Sequence, residues 1–406
     1  MSEISPKKTV LIVGAGLTGL QTAYALREAG FAVELVERER SACQSASYSA
    51  AAFLDKSEPA LLAPAASLMT RLRARTGSAE GLFYSAPQAL RHPTFVSALV
   101  ESRTPESAAA RADVMRRLAH RSAALLREAA EHHDFALQES ASTLTLLEAS
   151  KNEAGAGTLT AEKARELEPS LYGVPDSALF GYQKGASWSA SYYAKQLRDY
   201  LTRRDVPIHC GKEVLGFTET AGRVTGVETT GGLLAADAVV LCTGAARPLL
   251  FAALNRESLP LALLSRSQMN VKLHDTAPLI RHAVETPEGR AAVPLDAFMR
   301  LIGRWQLGTL TEADAEPEYK ALWQLGLTLF PEAADWSAAR YLTQSILSTP
   351  DGLSLTGETA RDGLFVNMAG GIHGADFCAA YAEVIVDRLT GKANPFKEML
   401  SPARFL

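Results

Sequence analysis

The 406-residue sequence has few cysteines, no long apolar run and little net charge. Its four cysteines lie far apart without C-x-x-C spacing, so we expect free thiols in a reducing compartment rather than disulfides. The sequence contains no stretch of 18 or more apolar residues, so no membrane span is predicted. A net charge of −4 gives no electrostatic reason to expect nucleic acid as a partner.

Two further absences concern targeting and metals. The first residues, "MSEISPKK", lack the apolar core of a cleaved signal peptide. We therefore expect a cytoplasmic protein, with peripheral contact at the inner face of the membrane as the alternative. The eight histidines show no spacing typical of metal ligands, and no metal is expected.

A glycine-rich turn stands near the start of the chain, in "VGAGLTGL". Gly14, Gly16 and Gly19 follow the apolar run Thr9–Val13, which is typical of a buried parallel strand. Helical spacing of apolar residues follows, and then a second strand, predicted over residues 31–36, which ends at Glu37. The whole is a βαβ unit with an acid about 20 residues beyond the glycines, the pattern of a dinucleotide-binding turn.

Each position of this turn has a physical role. Gly14 permits the tight turn, Gly16 lets a pyrophosphate approach the backbone, and Gly19 lets the helix pack on the strand. The helix N-terminus offers N–H groups to the phosphates, and Glu37 accepts hydrogen bonds from a ribose diol, which disfavours NADP. The residues expected to hold the dinucleotide here are Gly14, Ala15, Gly16, Leu17, Thr18, Gly19, Glu37 and Arg38.

Two later segments distinguish FAD from NAD. Alternating strands in residues 206–245 end in "AVVLCTGA", and residues 348–392 contain "STPDG", a strand and the glycine-rich "GGIHG" before a final helix. In these segments the chain resembles the flavoprotein family of D-amino-acid oxidases and dehydrogenases, glycine oxidase and sarcosine oxidase. The closing segment is similar to that of the small subunit of bacterial D-amino-acid dehydrogenases. The resemblance implies FAD, bound without a covalent link, because the 41–55 loop has only Cys43 and no histidine.

The resemblance also implies further contacts with the flavin nucleotide. The second glycine-rich turn would present a helix N-terminus to the flavin pyrimidine and stabilise the negative charge of the reduced ring. The additional residues implied are Ser45, Ser47, Val214, Thr243, Gly244, Gly370, Gly371, Ile372, His373 and Gly374.

The expected fold class is α/β, with a discontinuous Rossmann-like FAD-binding domain on a parallel sheet. We predict that residues 1–60, 160–250 and 340–406 build it. Residues 61–159 and 251–339 would form a second, α+β substrate domain on a mostly antiparallel sheet.

The sequence departs from this family near the substrate. The family has an arginine before T-P-D-G that grips a substrate carboxylate, and Ile346 stands there in this chain. The family's Asn-Ala-Gly step is absent from "QSASYSAAAFL", residues 44–54. His373, Arg266, Gln268 and Tyr48 are the candidate catalytic residues, each with a structural role as the alternative.

The expected reaction is oxidation of the C–N bond of an amine or D-amino acid by hydride transfer to flavin N5, giving an imine that hydrolyses. One alternative is an oxidase or dehydrogenase of an N-substituted amino acid or secondary amine, such as sarcosine-, proline- or opine-like compounds. A second is an FAD-binding, non-catalytic subunit of a complex. The electron acceptor is oxygen, a quinone or a partner protein, and the sequence does not choose among them.

Overall fold

The computed structural model describes residues 8–49, 52–54, 78–79, 82–102, 104–147, 158–183, 186–256, 258–275, 280–295 and 297–405. The strands are β1 Thr9–Val13, β2 Ala32–Glu37, β3 Ala52–Leu54, β4 Ser78–Ala79, β5 Leu82–Phe83, β6 Ser142–Leu146, β7 Thr158–Thr160, β8 Leu179–Gln183, β9 Ala186–Trp188, β10 Ile208–Cys210, β11 Val214–Thr220, β12 Arg223–Thr229, β13 Gly232–Ala235, β14 Ala238–Leu241, β15 Ala262–Lys272, β16 His282–Glu285, β17 Ala291–Leu295, β18 Phe298–Ile302, β19 Trp305–Leu307, β20 Arg340–Ser348, β21 Leu355–Glu358 and β22 Leu364–Met368.

Helices connect and cover these strands. They are α1 Leu17–Glu28, α2 Ala86–Arg91, α3 Pro93–Glu101, α4 Pro105–His133, α5 Ala161–Leu167, α6 Ala190–Arg203, α7 Arg247–Leu254, α8 Glu312–Leu329, α9 Cys378–Thr390 and α10 Lys397–Leu400. Thr104 caps α4 through its side chain, and a proline follows in the first turn.

A parallel sheet contains the first glycine-rich turn. Its order is β10-β2-β1-β14-β22-β21, and only the β21–β22 pair is antiparallel. Residues Val10–Val13 of β1 are buried, because α1, α6 and α9 cover one face and a second apolar cluster covers the other. Burial on both faces explains the continuous apolar run of β1. The carboxyl ends of β1 and β14 therefore meet at one edge, where ligands bind in such sheets.

A second, larger sheet runs in the order β4-β5-β19-β15-β18-β17-β16-β6-β8-β7, with β20 paired along β15. Most of its pairs are antiparallel, and the β5–β19 and β6–β16 pairs are parallel. Met269 and Val271 of β15 pack in an apolar cluster with Leu322 and Leu329 of α8. Because side chains alternate along a strand, the other face of β15 carries Arg266 and its polar neighbours away from that core.

The sheets divide the chain differently from the predicted domain ranges. Strands β8 and β20 belong to the larger sheet, although residues 160–250 and 340–406 are predicted to build the FAD-binding domain. Helix α4 contributes Leu126 and Ala129 to the apolar cluster beside the parallel sheet. Residues 55–60 of the predicted FAD-binding domain and residues 61–77 of the predicted substrate domain lie outside the described residues. The division into two domains stays a prediction.

Candidate active site

The first glycine-rich turn is closed by contacts that leave no room for side chains. A Cβ atom on Gly19 would lie 1.9 Å from the Gly14 carbonyl oxygen, and one on Gly14 would lie 2.5 Å from the Cys242 carbonyl oxygen. Gly14 also has φ +105°, in the region that favours glycine. The glycine spacing thus seats α1 against the ends of β1 and β14.

The Glu37 carboxylate lies directly beside this turn. Its Oε2 accepts a 2.7 Å hydrogen bond from the Ala15 N–H, and its Oε1 accepts one of 3.0 Å from the Glu39 N–H. A carboxylate oxygen accepts more than one hydrogen bond, so Glu37 keeps lone pairs for a ribose diol. The neighbouring Arg38 is exposed and pairs with Glu39 at 3.3 Å.

Ser47 lies over the start of α1, where Leu17 N–H donates a 2.7 Å hydrogen bond to its Oγ. A Cβ atom on Gly16 would come within 3.0 Å of the same oxygen. Since the Ser47 hydroxyl accepts here, its own hydrogen is available to an anion. The Thr18 carbonyl accepts from the Thr22 hydroxyl, and Ser45 accepts the Tyr48 N–H, so both are bound locally.

The end of β14 completes the dinucleotide edge. Cys242 N–H donates to the Val13 carbonyl at 2.8 Å, and the Thr243 hydroxyl donates to the Ala246 carbonyl at 3.2 Å. Gly244 has φ +58° in the turn that leaves the strand. Val214 begins β11, two residues after the Lys212 N–H, which donates to the Glu37 carbonyl. These predicted contacts therefore surround the same edge as Glu37.

The second glycine-rich turn joins the two sheets. A Cβ atom on Gly371 would lie 2.6 Å from Ser348 Oγ of β20, and Ile372 packs in one apolar cluster with Ile346. The structure has a glycine-rich turn followed by a helix, in the predicted order. Residues Gly371–His373 form a short 3₁₀ turn, and α9 begins at Cys378. Gly371 has φ +58°, in the region that favours glycine.

His373 is buried in this turn with one ring nitrogen held and the other unpartnered. Its Nδ1 donates to Asp376 Oδ2 at 2.9 Å, and its ring stacks on Phe377 with centroids 5.3 Å apart. Its Nε2 is buried and has no hydrogen-bond partner among the described residues. A buried polar atom is costly to leave unpaired, so Nε2 indicates a missing ligand.

A polar face of the larger sheet lies against the two turns. Gln344 Oε1 accepts from Arg266 Nε at 2.8 Å and from Gln268 Nε2 at 2.9 Å, and its own Nε2 donates to the Ala46 carbonyl at 3.0 Å. The Arg266 guanidinium lies over the Trp305 ring, 4.3 Å from its centroid. Burial, together with the charge of Arg300 and against the opposing charge of Asp376, lowers the pKa of Arg266 to about 9. Arg266 and Gln268 are therefore fixed on a face that reaches the His373 turn.

Arg300 belongs to this face and was missed by the sequence reasoning. It lies opposite Asn270 in the β15–β18 pair, and its Nε donates to Asn270 Oδ1 at 2.8 Å. Its Nη1 is buried without a hydrogen-bond partner among the described residues. The only available signal was an arginine inside the apolar run "FMRLI", since no motif marks it.

Tyr48 and Ile346 also lie around this face. Tyr48 is 55% exposed in the short helix of residues 46–49. Burial lowers the pKa of Arg300, and the nearby phenol of Tyr48 acts in the opposite direction on that pKa. Ile346 is opposite Leu264 and two residues from Gln344, which is opposite Arg266. The isoleucine and Arg266 therefore occupy neighbouring positions of one face.

These residues fit an FAD molecule. The cradle at Gly16, the Ser47 hydroxyl and the Glu37 carboxylate suit the nucleotide end, and the buried Nε2 of His373 suits a polar ring at the other. Burial raises the pKa of the Cys43 thiol to about 11, so this thiol is protonated and a poor nucleophile near neutral pH. No group of three or more metal-ligating side chains occurs among the described residues.

The structure combines a dinucleotide-binding turn on a parallel sheet with a second sheet whose polar face carries buried arginines. This combination is typical of an enzyme that uses a dinucleotide cofactor. A family model described as FAD dependent oxidoreductase, DAO, matches residues 9–388. The chain belongs to this family, and its cofactor is FAD.

Individual relatives agree with this membership. D-amino acid dehydrogenase of Xanthobacter autotrophicus is 29% identical over 243 residues, covering 59% of this chain and 58% of the relative. The chain thus spans little more than half the length of this relative. D-amino acid dehydrogenase of Cereibacter sphaeroides is 27% identical, covering 95% of this chain and 92% of the relative. Glycine oxidase from Geobacillus kaustophilus shares the fold, with TM-score 0.69, 20% identity and coverage of 99% and 100%.

Proposed function

We propose that this protein oxidises the C–N bond of an amine or D-amino acid that carries a carboxylate. The observation that carries the proposal is the buried Arg266 on the face that meets the His373 turn. D-amino acid dehydrogenases are among the relatives, which supports a D-amino acid as the first substrate to test.

Arg266 is the proposed anchor for the substrate carboxylate. An arginine fork binds a carboxylate through two parallel hydrogen bonds, and its Nε is already held by Gln344. The Trp305 ring below and Gln344 beside it fix the guanidinium before substrate arrives. This anchor stands one strand away from Ile346, where the family's arginine is expected, and supplies the same charge from β15.

His373 is the proposed polar group between flavin and substrate. Its Nδ1–H is directed to Asp376, so the unpartnered Nε2 is the atom that meets the ligand. With Asp376 as acceptor, Nε2 either accepts a proton or, once protonated, donates to developing negative charge. Asp376 is a positioning residue that sets the orientation of the ring.

We propose that FAD is held by the residues around the first turn, by Ser45 and Ser47, by the 243–244 step with Val214, and by residues 370–374. FAD, when bound, would supply the oxidising ring that accepts a hydride from the substrate carbon. The nitrogen would lose its proton to solvent, and water would hydrolyse the imine to a carbonyl compound and ammonia or an amine. The division into an FAD-binding and a substrate domain is part of this proposal.

One observation favours a second substrate type. Ile346 and Ile372 make the position of the family's arginine apolar, which suits an N-substituent better than a carboxylate. An N-substituted amino acid or secondary amine is therefore the alternative substrate. The remaining alternative is that the protein is a non-catalytic subunit that binds FAD within a complex.

Anaerobic titration of the flavin-loaded protein tests these readings. We expect a D-amino acid to bleach the flavin absorbance, whereas its L-enantiomer, the matched control, does not. Reduction by sarcosine or proline alone would transfer the proposal to secondary amines. If no amine in the panel reduces the flavin, the catalytic proposal is wrong and the interpretation as a non-catalytic FAD-binding subunit is favoured.

We further propose a cytoplasmic location, with peripheral contact at the membrane as its alternative. The four cysteines are free thiols, the form that a reducing compartment maintains. No described helix is both long and apolar enough to cross a membrane. The acceptor that reoxidises the flavin, whether oxygen, a quinone or a partner protein, would be identified by reoxidation rates with each.

A further inference from the structure

Two buried arginines share the substrate-facing side of the larger sheet. Arg266 on β15 and Arg300 on β18 are both more than 90% buried. Arg300 is opposite Asn270, four residues along β15 from Arg266, so both point to the same side. Strand geometry puts their Cα atoms about 14 Å apart.

The surroundings of Arg300 do not neutralise its charge. Among the residues that the structure describes, no carboxylate lies within ion-pair distance of Arg300, and Asn270 holds only its Nε. Val293 is opposite Arg300 on β17 and belongs to an apolar cluster with Ile302. A buried charge is costly unless it is paired, and an apolar wall cannot pair it.

The two guanidinium groups are close enough to influence one another. The charge of Arg300 is the second cause, after burial, of the lowered pKa of Arg266. Burial likewise lowers the pKa of Arg300 to about 10. Both groups are still cationic at neutral pH, so a bound anion would relieve repulsion as well as satisfy the Nη1 of Arg300.

We propose that the substrate carries two carboxylates, one bound by Arg266 and the second by Arg300. This inference rests on the proposed function and narrows it to an amine or amino acid with a second acidic group. Arg300 is then the residue that sets specificity: its Nη1 donates to the distal carboxylate, and the apolar wall of β17 covers the carbon chain between them.

The test compares ligands that differ by one carboxylate. Butanoate and succinate both have four carbons and neither carries an oxidisable amine. We expect calorimetric titration of the flavin-loaded protein to give about 30-fold or more tighter binding of succinate. In Arg300→Gln we expect this ratio to fall to within about threefold. Lys272→Gln, which removes an exposed charge from the neighbouring strand β15, is the matched control and should retain the wild-type ratio.

The Arg300→Lys variant tests whether the effect of Arg300→Gln comes from misfolding. It retains the charge and loses the fork, so we expect an intermediate ratio with an unchanged flavin content. Equal binding of the two ligands by the wild type, or an unchanged ratio in Arg300→Gln, would overturn the proposal.

An amine panel separates this proposal from the proposed function. We expect D-glutamate to reduce the flavin at lower concentration than D-norvaline, and iminodiacetate at lower concentration than sarcosine. Selective succinate binding without reduction by any amine would contradict the oxidation and retain the two-anion site. Reduction without preference for the second carboxylate would retain the oxidation and contradict the site.

Discussion

At the scale of single residues, the proposed ribose contact of Glu37 predicts an effect on the affinity for FAD. The two carboxylate oxygens of Glu37 accept the N–H groups of Ala15 and Glu39, beside the first glycine-rich turn. Glu37→Gln replaces one acceptor by a donor, so we expect the Kd for FAD to rise by about tenfold or more, measured by flavin fluorescence. Glu39→Gln, an exposed neighbour, is the matched control. Equal affinities in both variants would refute the assignment of Glu37.

Arg266 predicts a pH dependence of carboxylate binding. Its pKa of about 9 means that the guanidinium is charged below pH 9 and loses its proton as the pH rises further. We therefore expect the Kd of butanoate to be constant between pH 6 and 8 and to rise above about pH 9, up to tenfold per unit.

The neighbours of Arg266 define the control for this profile. Arg300, with a pKa near 10, and Asp376 both act on it, so the profile belongs to the cluster. Arg266→Gln should bind butanoate weakly and show no rise near pH 9. A Kd of Arg266→Gln for butanoate equal to that of the wild type at neutral pH would count against Arg266 as the anchor.

At the scale of elements, alanine substitutions in the first glycine-rich turn should impair FAD binding to different degrees. Gly19→Ala forces a Cβ atom to 1.9 Å from the Gly14 oxygen, so α1 must move, and we expect loss of FAD binding together with lower thermal stability. Gly16→Ala meets only the Ser47 hydroxyl at 3.0 Å, so we expect a folded protein with weaker FAD binding.

Gly181→Ala provides the control for this series, because its Cβ atom would make only ordinary contacts of 3.7 Å or more and its strand, β8, belongs to the larger sheet. Circular dichroism and flavin content of the three variants report folding and binding separately. Full FAD binding by Gly19→Ala would show that the turn tolerates displacement of the helix.

At the scale of the whole molecule, FAD should stabilise both sheets together. The proposed cofactor contacts come from β1, β2, β14 and the turn that touches β20. Free FAD at 100 times its Kd should add about 2.7 kcal/mol, which raises Tm by a few degrees. Calorimetric unfolding of stripped protein with and without FAD measures this shift. Adenosine, which lacks the pyrophosphate and flavin, is the control, and an equal shift with it would contradict a site that spans both turns.

The sequence alone determined the dinucleotide edge, because that edge is built from local chain geometry. The spacing of Gly14, Gly16 and Gly19, the apolar run of β1 and the acid at Glu37 all act within one βαβ unit of about thirty residues. The same reasoning located His373, since a glycine-rich turn is visible in the letters. The sequence also predicts a helix after this turn, and the structure sets its first residue at Cys378.

Only the tertiary structure showed which side chains share the polar face of the larger sheet, where we propose that the substrate binds. Arg266, Arg300 and Gln344 are distant in sequence, and strand register alone puts them on one side of a sheet. Likewise, β7, β8 and β20 join the larger sheet because long-range pairing, not local pattern, selects their partners. An arginine in an apolar strand is a solvated side chain or a buried charge depending on what lies above it. That environment is a property of the packed sheets, so the cofactor could be predicted from sequence while the proposed anion site could be inferred only from the fold.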